Sequence, residues 1–300
     1  MEFQFLSMNT FYKISLLTLV ISLVACQDPV DIDVPTGETE LVISGQISDK
    51  DSCFVKISST SDYFSNAGVN YISGARVSIW EDGKEMALLT ESNARAGYYS
   101  NSFRGTVGKI YHIEVGVNGN YPASFIGDWV STADTLRACP ELDSLKQATL
   151  NRTTNPRAFL EGEYALMYFG DIPDTKNYLR IKRTLNDSAF ARDIIIFDDF
   201  GVDGAYFGGN DFPPVSIYGP FEDSQLGEEP DTLSVSIESI SADYEAFLTL
   251  VSSQQQVGSP FDAPPALVIG NIHRKNDVED YAFGYFSVVG RNSNGLRYKP

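Results

Sequence analysis

From residue 40 to residue 126 the chain alternates short apolar, β-branched runs with turn residues, and this spacing limits its fold more than any other feature. In residues 109–117, Tyr111, Ile113, Val115 and Val117 fall on one face while His112 and Glu114 fall on the other. That period of two belongs to a half-buried strand, whose successive side chains point to opposite sides. Residues 41–47, 53–58, 75–80 and 86–90 read the same way, and Gly97-Tyr98-Tyr99 and residues 121–126 add two further strands. Asp82-Gly83, between two such runs, predicts a two-residue hairpin, because that turn needs positive φ at both central residues. About seven short strands with regularly spaced turns predict a β-sandwich.

The rest of the chain repeats the theme with a break. Asp, Thr, Asn, Arg and Pro dominate residues 127–155, so a linker is expected at 129–155 between a first domain at 40–128 and a second at 156–300. Strands are expected at 161–169, 178–185, 190–197, 232–240, 266–272 and 281–289, which makes a second β-sandwich. One helix is predicted near 241–256. Ser241 caps it, Asp243 and Glu245 suit its positive end, and Tyr244, Phe247, Leu248 and Val251 form one apolar stripe. The expected fold class is therefore mainly β, two sandwiches and one α-helix.

The N-terminus speaks to compartment. Lys13 precedes an apolar run over residues 14–25 that ends at Cys26. A bilayer core of about 30 Å needs roughly 20 apolar residues, so this run is too short to span it and suits a signal peptide over residues 1–25. Leu23-Val24-Ala25-Cys26 matches a lipobox, in which the cysteine is acylated and becomes the mature N-terminus. The alternatives are an ordinary signal peptide with a chance cysteine, or a short signal anchor. One acyl chain holds a membrane marginally and two or more hold firmly, at about 0.8 kcal/mol per buried methylene. Residues 26–39, with two prolines and several acids, read as an acidic tether.

A formal net charge of −18 leaves no electrostatic means of holding nucleic acid. Anionic headgroups would repel such a body, so an anchor and not the surface must do the membrane work. With Cys26 committed to lipid, Cys53 and Cys139 remain, either as a disulfide in an oxidising compartment or as two buried free thiols.

Catalytic signatures are missing from the sequence: there is no GxSxG, P-loop, HExxH or CxxC pair. His112 reads as a solvated strand residue and His273 as a strand-end residue, neither with a partner at metal-ligand spacing. Among 40 acids no argument selects a catalytic pair. The sharpest acidic cluster holds Asp198, Asp199, Asp203 and Asp211 among glycines. It reads either as oxygen ligands for calcium, which takes 6–8 of them, or as an exposed loop that uses Asp, Gly and Asn for tight turns. No other cofactor is expected. Loop aromatics Tyr63, Phe64, Tyr71, Tyr206, Phe207, Phe212 and Tyr218 either stack on a ligand or partner or fill the cores.

Several stretches, in order, carry a resemblance: Cys26 with Asp31-Ile32-Asp33-Val34-Pro35, Leu41-Val42-Ile43-Ser44-Gly45, Ser73-Gly74-Ala75-Arg76-Val77 and Gly108-Lys109-Ile110-Tyr111. Asn177-Tyr178-Leu179-Arg180, Phe197-Asp198-Asp199, Ile269-Gly270-Asn271-Ile272 and Phe283-Gly284-Tyr285-Phe286-Ser287 continue it. The chain resembles the Bacteroidota lipoproteins grouped as domain-of-unknown-function family 4249, DUF4249. Residues 73–117 resemble a carboxypeptidase-regulatory-like, transthyretin-type sandwich, so the first domain is expected to be of that Ig-like kind. The resemblance implies an outer-membrane lipoprotein, anchored at the cell surface or on the periplasmic face, that accompanies a TonB-dependent transporter. It carries no active site. Asp134-Thr135-Leu136, Asp143-Ser144-Leu145, Asp187-Ser188-Ala189 and Asp231-Thr232-Leu233 resemble the O-glycosylation acceptor of such exported proteins. The expected role is a non-enzymatic accessory of the transporter. The alternatives are a structural or adhesive surface protein and, third, a glycan hydrolase.

Overall fold

The computed structural model describes residues 38–61, 68–153, 160–190, 193–220, 231–255 and 266–298. The expected mainly β architecture is present. The first strands are β1 (Leu41–Ser48), β2 (Cys53–Ser59), β3 (Asn70–Tyr71), β4 (Arg76–Glu81), β5 (Lys84–Ser92), β6 (Arg95–Asn101) and β7 (Ile110–Val117). Next come β8 (Gly127–Ser131), β9 (Asp134–Thr135), β10 (Leu142–Leu150), β11 (Gly162–Gly170), β12 (Tyr178–Leu185), β13 (Ser188–Ala189) and β14 (Ile195–Asp198). The chain ends with β15 (Tyr206–Phe207), β16 (Val215–Tyr218), β17 (Asp231–Ile240), helix α1 (Ala242–Gln255), β18 (Ile272–Arg274), β19 (Asp277–Ala282) and β20 (Phe286–Tyr298).

The first sandwich forms because the alternating apolar sets meet face to face. Ile43 and Ile47 of β1, Val55 and Ile57 of β2 and Tyr99 of β6 pack with Ile79 of β4, Ile113 and Val115 of β7 and Trp129 of β8, all buried. The Asp82-Gly83 turn has φ of 47° and 78°, as a two-residue hairpin requires. Strand β5 turns the corner between layers, pairing with β4 over Lys84–Leu89, with a register shift between Glu85 and Ala87, and then with β6 from Thr90.

In the second sandwich, β12 and β17 present Leu179, Ile181, Leu233, Val235 and Ile237 to Leu145 of β10, Ala165, Met167 and Phe169 of β11 and Ile217 of β16. Helix α1 is capped as expected, with Tyr244 N donating to Ser241 Oγ at 3.3 Å. Tyr244 and Leu248 of its stripe are buried against Ile240, Tyr285 and Val289, whereas Phe247 is only partly covered.

The expected division into independent domains is corrected. The described residues from Thr39 onward form one compact unit. The expected linker 129–155 holds the end of β8, all of β9 and all of β10. The first sandwich is completed by the far end of the chain, not by residues 40–128 alone. Strand β18 pairs with β8, and the first residues of β20 pair in parallel with β1. Arg274 clamps this return: its guanidinium lies 4.3 Å from the Trp129 ring centre and donates to the Ile126 and Ser124 carbonyls and to Asp280.

Strand β20 then continues past Val289 and pairs antiparallel with β17 over Asp231–Ser239. One strand therefore belongs to both sandwiches, and the sheet runs unbroken from β12 through β17, β20 and β1 to β2. The switch falls at Gly290, where a Cβ would lie 2.1 Å from the Arg137 carbonyl oxygen. The polar look of 127–155 misled because much of it is half-exposed strand.

Other boundaries moved as well. Residues 121–126 are a turn and not a strand, and 266–271 are irregular. There the chain passes so close to Gly284 that a Cβ on Gly270 would sit 1.5 Å from the Gly284 carbonyl oxygen. Asn271 replaces the strand bonds by exchanging two side-chain hydrogen bonds with the Phe286 backbone, both at 2.9 Å. Among the described residues of 190–197 only 195–197 are strand, and 281–289 divide between β19 and β20.

Gly290→Val is expected to destabilise the protein by about 3 kcal/mol, since a side chain there must displace backbone. Both tryptophans, Trp80 and Trp129, lie in the first sandwich. Their fluorescence and the far-UV circular dichroism of the whole chain should lose structure at one common urea midpoint, in the parent and in the variant. Two separated midpoints would show that the halves unfold independently.

Candidate functional site

Strand register builds a site on the outer face of β12, β17 and β20, the face turned away from the second core. Alternation sends Leu179 and Ile181 inward and Arg180, Lys182 and Thr184 outward. On β17, Ser234, Ser236 and Glu238 alternate with Leu233, Val235 and Ile237. Cross-strand pairing aligns these into rows: Arg180 with Glu238 and Arg291, Lys182 with Ser236 and Ser293, Thr184 with Ser234 and Gly295. The preceding row, Tyr178 with Ile240, lies under helix α1. Beyond it the face opens into a trough of about 610 Å³.

The charges are arranged about one acid. Glu238 is fully buried, and its Oε1 accepts from Lys182 Nζ at 2.7 Å and from Gln46 Nε2 at 2.8 Å. Arg180 approaches the other carboxylate oxygen at 3.9 Å and donates to Tyr244 OH at 2.8 Å. Arg291 pairs with Asp51 at the edge of the trough, and Arg183 grips Asp193 in a two-pronged pair at 2.8 and 2.6 Å. Burial drives the Lys182 pKa below its ordinary value, Glu238 opposes that shift, and neighbouring Arg180 and Arg291 add to it. The ionised lysine thus costs stability below its folded-state pKa, and the cost is relieved as pH climbs toward the ordinary value of 10.5. Arg180 Nε, Arg291 Nε and Glu238 Oε2 are buried without a hydrogen-bond partner.

The acidic loop divides the expected calcium ligands. Asp199 and Asp203 converge, but with Asp171, a residue outside the expected set; one carboxylate oxygen from each lies within 4.8 Å of the others. Asp198, at the exposed end of β14, and Asp211, near Phe212, do not join them. Each of the three carboxylates already accepts a backbone N–H: Asp171 from Gly204 at 3.0 Å, Asp199 from Asn177 at 2.7 Å and Asp203 from Asp174 at 3.0 Å. The cluster thus staples its own turns and supplies three oxygens toward the six or more that calcium takes. Asp171 is held above the usual carboxylate range, chiefly by burial and further by Asp199 and Asp203.

The cysteines are free thiols and not a bridge. Cys53 is buried in the first core, and Cys139 packs against the second, its Sγ 3.3 Å from the Ile237 carbonyl. Burial pushes both thiols up to about 12, which keeps them unreactive. His112 is not solvated: it is half-buried and stacks on Trp80 at 5.6 Å, and burial lowers its pKa. His273 Nδ1 meets the Arg274 carbonyl at 2.9 Å. Of the loop aromatics, Phe207, Phe212 and Tyr218 join ring stacks of the second core, whereas Tyr71 and Tyr206 are exposed. Ser188 and Thr232 of the acceptor motifs are exposed at one tip of β12 and β17; Thr135 and Ser144 are half-buried. Cys26, the expected signal peptide, nearly all of the expected tether, Tyr63 and Phe64 lie outside the described residues.

Sequence reasoning missed Arg180, Lys182, Glu238 and Arg291. The signal was present in the polar alternation of 178–185 and 232–240. Which partner each charge meets depends on strands distant in sequence.

Two sandwiches sharing one strand, with a cation-rimmed trough on the common sheet, define a two-layered, mainly β protein. The chain belongs to the family described as a domain of unknown function, DUF4249, whose profile matches residues 27–294. No curated protein matches it.

Lys182→Met is expected to cost about 2–3 kcal/mol by leaving Glu238 buried with weakened pairing. Adding Glu238→Leu should recover about half of that loss, since apolar pairs replace buried ion pairs well; urea midpoints of the single and double variants decide it. Asp171→Asn is expected to stabilise the protein at pH 7. Charge on Asp171 is penalised above its raised folded-state pKa and is absent well below the ordinary 3.8. The gain should stay level at higher pH and shrink only as urea midpoints are repeated down through the raised folded-state pKa toward 3.8.

Proposed function

We propose that the protein is a lipid-anchored, non-enzymatic accessory of an outer-membrane TonB-dependent nutrient transporter, capturing a solute in the trough of the shared sheet. The observation that carries this reading is the trough itself. Most of its lining stands on three paired strands and includes cations and hydroxyls, with Ala189, Phe190 and Val235 as apolar members. Groups of that kind bind a polar solute by hydrogen bonds and charge and release it again. An anchor at Cys26 and a tether over residues 26–39 would confine the body beside its partner and raise its effective concentration without a tight interface. Among the described residues no helix is long and apolar enough to cross a membrane. In this reading the acyl chains on Cys26 retain the protein at the membrane.

Cys26→Ser should shift the full-length protein from the envelope pellet to the soluble fraction or leave it unprocessed, with no acyl mass on the intact protein. Isolation of the tagged parent in mild detergent should bring a TonB-dependent barrel with it. Recovery of the protein alone, at near-stoichiometric solubilisation of the envelope, would count against the accessory role.

A further inference from the structure

We propose that the trough over β12, β17 and β20 is a binding site for a small polyhydroxylated oxyanion, a sugar acid or sugar phosphate, engaged by Arg180, Lys182 and Arg291. This rests on the reading of the trough as a capture site and names the class of its ligand; it requires neither the anchor nor the transporter.

Three observations converge on an anion. The chain carries 22 basic and 40 acidic residues, yet the outer face sets three cations, Arg180, Lys182 and Arg291, around one acid, Glu238, while Arg183 and Asp193 pair at the rim on the side of the second core. Pairing leaves an excess. Asp193 neutralises Arg183 and Asp51 neutralises Arg291, but Arg180 and Lys182 share Glu238. Finally, Arg180 and Arg291 flank Glu238 in one row, and the Nε of each guanidinium is buried without a partner, as is Glu238 Oε2 between them. An oxyanion is the ligand that pairs guanidinium N–H groups in two-pronged fashion. The mutual repulsion of Lys182 with Arg180 and Arg291 acts in the same direction, since an arriving negative charge relieves it.

The rest of the lining specifies what accompanies the charge. Thr184, Ser234, Ser236 and Ser293 set four hydroxyls along the sheet below the cations. A hydroxyl accepts and donates equally well, which matches the hydroxyl groups of a polyol. Without branched side chains at Ser293 and Gly295 the floor stays open, and its 610 Å³ falls within the usual 300–1,000 Å³ of small-ligand sites.

The test is calorimetric titration of the full-length protein in detergent with galacturonate, galactose 6-phosphate and galactose, at low and at 0.5 M salt. At least one of the two anions should bind saturably, with galactose at least about tenfold weaker and the anion weakened by salt. Galacturonate alone would assign a carboxylate ligand, galactose 6-phosphate alone a phosphate. Arg180→Gln and Ser293→Tyr should each weaken the anion by at least about tenfold. Ser293 is exposed, so the tyrosine variant should retain the parental circular dichroism and test occupancy of the trough without disturbing Glu238. Saturable binding of neither anion, equal binding of galactose, or an unaltered affinity in Ser293→Tyr would overturn the assignment. Binding without recovery of a barrel would remove only the transporter role. Recovery of a barrel without binding would remove this site and leave that role standing.

Discussion

The structure depends on one strand pairing twice. Strand β20 adds in parallel to β1 through Gly45–Ser48 and then antiparallel to β17, with Gly290 at the changeover. Main-chain pairing of this kind leaves little freedom between the two sandwiches, because each hydrogen bond sets strand direction as well as distance. The clamp by Arg274 on Trp129 and the Asn271 side-chain bridge to Phe286 secure the same return of the chain. Close backbone approaches at Gly270, Gly284 and Gly290 follow from it, since three segments meet where side chains have no room.

Sharing a strand has a chemical consequence. A single outer sheet face now extends from β12 to β1, and charges from remote segments meet on it. Lys182 comes from β12, Glu238 from β17, Arg291 from β20 and Gln46 from β1. Helix α1 dries one end of this face by packing Tyr244 and Leu248 on Ile240, and the remainder stays polar and open. A buried carboxylate ringed by cations contributes little net stability, because desolvation offsets most of the attraction. The arrangement therefore makes better sense as a means of holding guanidinium and ammonium groups in place than as a source of folding energy.

The acidic loop shows how far spacing alone can mislead. Interleaved Asp and Gly identified a tightly turning segment, and two of its acids do converge. The third member, Asp171, comes from the end of β11 and could not be paired with them by counting. The same limit applied to Cys53 and Cys139, read as either a bridge or two buried thiols: they are free and belong to separate cores. His112 looked solvated from its strand parity, yet Trp80 on the neighbouring strand covers it.

Local sequence determined the elements: the period of two in 110–117, the Asp82-Gly83 turn and the capped helix after Ser241 are consequences of nearest-neighbour geometry and hold in the structure. It also determined which faces are apolar, and hence that layers would form. Only the tertiary structure decided that residues 272–289 return to complete the first sandwich and that Arg180, Lys182, Glu238 and Arg291 share one row-by-row site. The physical reason is that strand pairing is written in main-chain hydrogen bonds common to every residue, so a sequence marks where strands lie but not which distant strand each will meet.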